Sequence, residues 1–187
     1  MTGAQIFARK VDATGRSTSQ PASSKDRKRN RPPEGPWVWF TSEMMESPAW
    51  RAMSLNARLV VDRITVEHMA HAGTQNGALP VTFDDFERFG IRRGSIAAAI
   101  QEAAAIGFVD IAEQGTRGWG AFKGRATRFR LAWLPTAAGD PETTRWRRFT
   151  NLKEAQRIAS QARQSGDTRR ASKKALPVTQ PMRVAAE

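Results

Sequence analysis

Between Leu79 and Leu134 the chain reads strand, helix, turn, helix, strand, basic loop, strand, and that order predicts a winged helix-turn-helix. The expected fold is mainly α with a small β-hairpin: a three-helix core plus a wing, with disordered basic tails on either side. Three observations carry the prediction. Thr82 and Asp85 stand at capping-box spacing before a short helix. Gly90 and Gly107 fall where the two helices of the motif must end. Two segments of alternating polarity flank a loop rich in Gly and Arg.

The elements follow in chain order. Residues 1–36 form a basic arm. From Ser17 to Gly35 no apolar residue is larger than Ala or Pro, so burial cannot offset the entropy of ordering. Order is expected from Trp37-Val38-Trp39-Phe40, as a short strand or an anchoring segment. Pro48 suits a first helical turn, and Trp50 reads as an anchor. Ser54 can cap a long helix from Leu55 to about Ala72. The apolar residues of that helix cover more than one stripe, as in the central helix of a small domain. Gly73-Thr74-Gln75-Asn76-Gly77 breaks the chain.

Leu79-Pro80-Val81 is the first strand of the motif. Phe83, Phe86 and Phe89 are expected on one face of the helix that follows. The second helix runs from about Arg92 to Ile106. Ile91, Ile96, Ile100, Ala103 and Ile106 form its packing face. Arg92, Arg93, Ser95, Ala97, Ala98, Gln101 and Glu102 lie opposite, toward solvent. In the last strand Phe129, Leu131 and Trp133 should face inward, and Arg128 and Arg130 outward. A further helix is expected over about 151–163, on a thin stripe of Leu152, Ala155, Ile158, Ala159 and Ala162. The expected division is thus an arm (1–36), a winged-helix domain (37–136), a basic linker with a C-terminal helix (137–164) and a disordered tail (165–187).

Charge points to the partner. The net charge of +12 sits at the ends. Residues 1–36 carry eight Lys/Arg against three acids, residues 37–136 eleven against ten, and residues 137–187 eleven against five. Basic tails on a near-neutral core favour a polyanion, nucleic acid first. Arg92 and Arg93, at the positive end of the second helix, suit a guanine edge or a phosphate. The alternative is a pair of solvated turn residues. The wing, 114–126, adds Arg117, Lys123 and Arg125, and Arg128 and Arg130 follow. If about five cations meet phosphates, log affinity against log salt should slope near −4 to −5. Trp119 can stack on the duplex or fold back on the domain. The expected DNA contacts are therefore Arg92, Arg93, Ser95, Gln101, Arg117, Trp119, Lys123, Arg125, Arg128 and Arg130. Ala97 and Ala98 make a poor reading face, since alanine offers only methyl contact. The basic run Lys25–Arg31 and the cluster Arg145, Trp146, Arg147 and Arg148 are candidates for non-specific attraction.

Little favours catalysis. The absence of cysteine removes thiolate zinc sites and Cys nucleophiles. His68 and His71 lack the zincin spacing and suit a helix C-terminus. Asp84-Asp85 reads as a capped first turn. No enzyme activity, cofactor, metal or small-molecule effector is expected. No apolar run has the length of a membrane span, and a cytoplasmic, nucleoid-associated protein is expected.

Several runs carry a resemblance: Trp37-Val38-Trp39, Glu46 to Ala52, Glu67 to Thr74, Gly90-Ile91-Arg92-Arg93 and Arg130-Leu131. Over about the middle 110 residues the chain resembles small winged-helix proteins of alphaproteobacteria associated with plasmids and other mobile DNA. More loosely, Phe83 to Val109 is similar to the helix-turn-helix of MarR- or GntR-like regulators and of plasmid replication initiators. The resemblance implies binding of double-stranded DNA, as a transcription regulator or as a replication initiator, with a homodimer as a further option. The chain departs from those families at Ala97 and Ala98 and has no evident effector domain. A protein-interaction module that has lost its reading face is the alternative of a different class.

Overall fold

A computed structural model describes residues 35–116, 118 and 124–174, with side chains as far as Gly166. The described residues hold six α-helices and a three-stranded antiparallel sheet. The arm before Gly35 and the tail after Lys174 lie outside them, as do the wing residues Arg117, Trp119 and Lys123.

Hydroxyl caps punctuate the first half of the domain. Helix α1 (Ser42–Glu46) starts where Thr41 Oγ1 accepts from the Met44 N–H at 3.2 Å. Helix α2 (Pro48–Ala52) has Pro in its first turn, and Ser47 Oγ accepts from the Trp50 N–H. Helix α3 (Leu55–Ala70) is capped by Ser54 and buries Ala57, Val60, Val61 and Ile64. Each cap satisfies an N–H that the first turn leaves without a partner.

The chain then enters strand β1 (Leu79–Val81). Helix α4 (Phe83–Arg88) opens on the Thr82–Asp85 capping box, with both reciprocal bonds formed. Gly90 turns the chain at φ +102°, and a 3₁₀ turn over Arg93–Ser95 leads into helix α5 (Ile96–Ile106). Gly107 ends α5 at φ +91°. Strands β2 (Val109–Glu113) and β3 (Thr127–Leu131) follow, and the sheet order is β1-β3-β2. A second 3₁₀ turn, Arg145–Arg148, precedes helix α6 (Leu152–Lys174).

The core lies between the sheet and helices α3, α4 and α5. Phe86, Phe108, Phe129, Ile64, Leu79 and Ile106 are fully buried there. Aromatic contacts extend it: Phe86 meets Phe129 edge-on, and Trp146 stacks on Phe108 with 11° between planes.

Several expectations need correction. Of the two options for Trp37-Val38-Trp39-Phe40 the strand does not form and the anchor does, through Phe40 alone, packed on Trp50 and Trp133, while Trp37 and Trp39 are exposed. Of Phe83, Phe86 and Phe89, only Phe86 is fully buried; Phe83 opens α4 and is exposed, and Phe89 caps its end, half-buried. The hairpin is part of a three-stranded sheet, because β1 pairs with β3 from Leu79↔Phe129 to Val81↔Thr127. The packed region does not end near Thr136: Trp146, Phe149, Ala155 and Ala159 belong to the same core. Helix α6 extends past the expected end, through Ser165 to Lys174. It packs along α5 and α2.

Candidate nucleic-acid interface

The mouth of helix α5 is built by the turn before it. Ile91 is buried, and its N–H donates to the Phe86 carbonyl, which fixes where the chain leaves α4. The Ser95 N–H then donates to the Arg92 carbonyl at 2.7 Å, closing the 3₁₀ turn. This geometry holds Arg92 and Arg93 outward at the positive end of the helix. Arg92 is exposed and forms no ion pair among the described residues. Arg93 is exposed too, but its guanidinium donates to Asp84 and, at 2.8 Å, to Glu87, both on α4. Those hydrogen bonds, Asp84's first, raise its pKa further. Glu87, Arg92, Arg93, Gly94 and Ser95 line an open groove beside the helix end.

The face of α5 expected to point to solvent is split. Ala97 and Gln101 remain half-exposed. Ala98 and Glu102 are buried, Glu102 completely. The Glu102 carboxylate accepts from the Ser54 N–H at 2.8 Å, from Ser54 Oγ at 2.7 Å and from Arg163 at 2.6 Å. Three donors, one of them charged, offset the cost of burying the carboxylate. Ala98 is small for a steric reason. A Cβ built on Gly166 of α6 would lie 2.7 Å from Ala98 Cα, so the two helices meet nearly backbone to backbone. Placing Glu102 on a solvent-facing stripe was wrong because α6 covers that side.

On the sheet, Arg128 is exposed, Arg130 half-exposed, and both point away from the core as expected. They are not idle cations. Glu113 bridges Arg125 at 2.9 Å and Arg128 at 3.5 Å. Arg130 donates to the Pro141 carbonyl. The basic cluster 145–148 is likewise engaged: Arg145 pairs with Asp110, Arg147 with Glu43, and Arg148 donates to the Ala105 carbonyl. Trp146 is buried. Among the described candidates the structure gathers Arg92, Arg93 and Ser95 at one helix end, and Arg125, Arg128 and Arg130 along one hairpin.

Two buried structural residues were not legible as such: Glu102, assigned to the solvent-facing stripe, and Asn76, which reads as a turn residue. An acid seven residues after Ser95, among alanines, was the available signal for Glu102, but its partner Arg163 is 61 residues away. His68 and His71 take the places expected at the end of α3: His71 caps the helix and contacts Glu67, and His68 is buried. No group of His, Cys, Asp or Glu able to hold a metal occurs among the described residues. No described helix is long and apolar enough to cross a membrane.

No family model, curated protein or solved structure matches this chain.

Proposed function

We propose that this chain is a winged helix-turn-helix protein that binds double-stranded DNA. The observation that carries the reading is topological. Helix α3, strand β1, helices α4 and α5 and the β2-β3 hairpin follow one another with sheet order β1-β3-β2. That is the arrangement in which the second helix of the pair enters a major groove and the hairpin flanks it. Arg92 and Arg93 stand at the entering end of α5 and would contact phosphates or guanine edges there. The hairpin arginines would follow the backbone. With Ala97 and Gln101 the main side chains left on the open stripe, base reading is sparse, and affinity rests chiefly on phosphate contacts and DNA shape. Transcription regulation is the role such a binder would serve.

Fluorescence anisotropy with a random-sequence duplex at two salt concentrations tests this. Affinity that falls steeply with salt, and an Arg92→Ala variant that weakens all sequences alike and flattens the salt slope by about 1, are the expected results. No measurable affinity in dilute buffer ends the reading.

One observation favours a second reading. The chain's own acids occupy Arg93, Arg125 and Arg128, and α6 covers part of α5, as in a module that docks a protein rather than a duplex. Charge reversal of Arg92 and Arg125 separates the two. It abolishes duplex binding in the first case and leaves partner binding intact in the second.

A further inference from the structure

The residues that lead into helix α1 leave two aromatic rings in water. Along Trp37-Val38-Trp39-Phe40 exposure alternates: Trp37 is 46% exposed and Trp39 68%, while Val38 and Phe40 are half-buried. The alternation puts both indoles on one side of the segment. They meet edge to face, with ring centroids 4.7 Å apart and 89° between planes. Phe40 fixes the base of the pair by packing on Trp50 and Trp133. The other described tryptophans, Trp50, Trp133 and Trp146, belong to the core or pack against it.

A large ring left in water forgoes the free energy of its own burial, so a fixed pair of them marks a contact surface. In an edge-to-face pair only one face of one ring is covered by its neighbour. The remaining faces are flat and can take a planar group. The charge of the partner follows from the sequence. Lys25, Arg27, Lys28, Arg29 and Arg31 come shortly before the pair, with Asp26 as the one acid of that run. Arg31 stands six residues before Trp37, and six residues reach at most about 20 Å. A partner that meets both must offer flat rings and a row of negative charges within that length. Unpaired nucleotides do so, whereas the bases of a duplex are already stacked on one another. A second copy of this chain would bring a net charge of +12 against the same cations. A lipid surface calls for an apolar face wider than two rings.

We propose that Trp37 and Trp39 form a stacking platform for bases of single-stranded DNA, with the basic run 25–31 drawing in the phosphates of the same strand. The platform shares no residue with the mouth of α5 or the hairpin. It goes beyond the duplex reading and does not rest on it. Stacking of this kind is tolerant of sequence, because every base has a π-face.

Fluorescence anisotropy of the full-length chain with a labelled oligo-dT of about 16 nucleotides, the upper end of a usual single-strand site, tests the platform. Trp37→Ala combined with Trp39→Ala is expected to weaken binding about tenfold. The salt slope should stay the same, because no cation is lost. The wild type should lose as much affinity when the oligo-dT is exchanged for an abasic strand of equal length, which keeps the phosphates and removes the rings. A duplex of that length should not distinguish the double variant from the wild type. Oligo-dT affinity that is unchanged in the double variant, or no higher than that for the abasic strand, overturns the platform and leaves the duplex reading standing. Ring-dependent binding of oligo-dT with no binding of any duplex does the reverse.

Two single variants at the more exposed ring guard against a disturbed anchor at Phe40. Trp39→Phe keeps a flat π-face and is expected to retain most of the affinity for oligo-dT. Trp39→Leu keeps apolar character without a π-face and is expected to lose several-fold. Equal affinity of the two overturns stacking. The platform also falls if oligo-dT affinity is unchanged in the double variant while a dimer dissociates in sedimentation, which assigns the rings to a second copy. It falls equally if only binding to phosphatidylserine vesicles is lost, which assigns them to a lipid surface.

Discussion

Asn76 ties the turn after helix α3 to the end of strand β3. Its side-chain nitrogen donates toward the carbonyls of Leu131, Leu134 and Pro135, each at 3.0 Å, and its oxygen accepts from the Leu131 N–H at 2.8 Å. The residue is 2% exposed, so nothing replaces those bonds when it is removed. Asn76→Ala is expected to cost about 3 kcal/mol, from several stranded backbone groups at once, and a urea melt with an unchanged m-value measures it. His68 is the second consequential residue. It is buried, its Nδ1 has no partner in the described structure, and burial lowers its pKa below 6.5. The folded state thus resists protonation while the unfolded chain accepts a proton near pH 6.5. The contribution of this histidine is therefore full above that pH and is lost as pH falls below it. Stability is expected to fall as pH drops from 7 to 5.5, and His68→Met should remove this histidine's share of that dependence. Neither role is legible in the sequence. Asn76 reads as one more turn residue between two glycines, and the burial of His68 depends on which side of α3 the core takes.

The elements divide by the range of the interactions that define them. Helix α4 was legible to the residue because its capping box is a contact across three positions, closed by Thr82 and Asp85. Burial raises the Asp85 pKa, but hydrogen bonds from the Thr82 side chain and backbone and from Arg88 outweigh it and bring the group to about 2. The stop after α5 was legible because a left-handed residue at that point calls for glycine. The docking of α6 was not. Its stripe is mostly alanine, as weak a burial signal as a helix can carry, and the partner surface on α5 is alanine too. The two glycine stops, after α4 and after α5, define a measurable contrast. A Cβ on Gly107 would lie 2.9 Å from the backbone at Arg145 and Trp146, at φ +91°, whereas one on Gly90 at φ +102° meets open space. Gly90→Ala should therefore cost only the conformational term, about 1–2 kcal/mol. Gly107→Ala must also push the 145–146 turn off the core, adding about 1–3 kcal/mol. Thermal melts of the two variants compare them, and equal costs would mean that the turn yields freely.

At the scale of the whole molecule, charge counting placed the cations correctly but not their partners. Between Glu113 and Asp140 the sequence holds no acid, which makes the hairpin look uniformly positive. The fold brings Glu113 itself back onto Arg125 and Arg128, with side chains 39%, 69% and 53% exposed. Exposed pairs of this kind are worth about 0.2–1 kcal/mol, so a phosphate can displace Glu113 at little cost. Its charge nevertheless stays beside Arg125 and Arg128 and would oppose any phosphate backbone brought to them. Glu113→Gln removes that opposition and hardly affects folding. If the hairpin lies on DNA, the variant should bind every duplex several-fold more tightly at low salt. Its log–log salt slope should also be steeper by about 1, because the freed arginines displace counterions that the wild type leaves in place. An increase confined to one preferred sequence would put the hairpin at base edges instead. Affinity and slope both unchanged would mean that DNA, if bound, never reaches these arginines, and that the mouth of α5 at Arg92 carries the contact by itself.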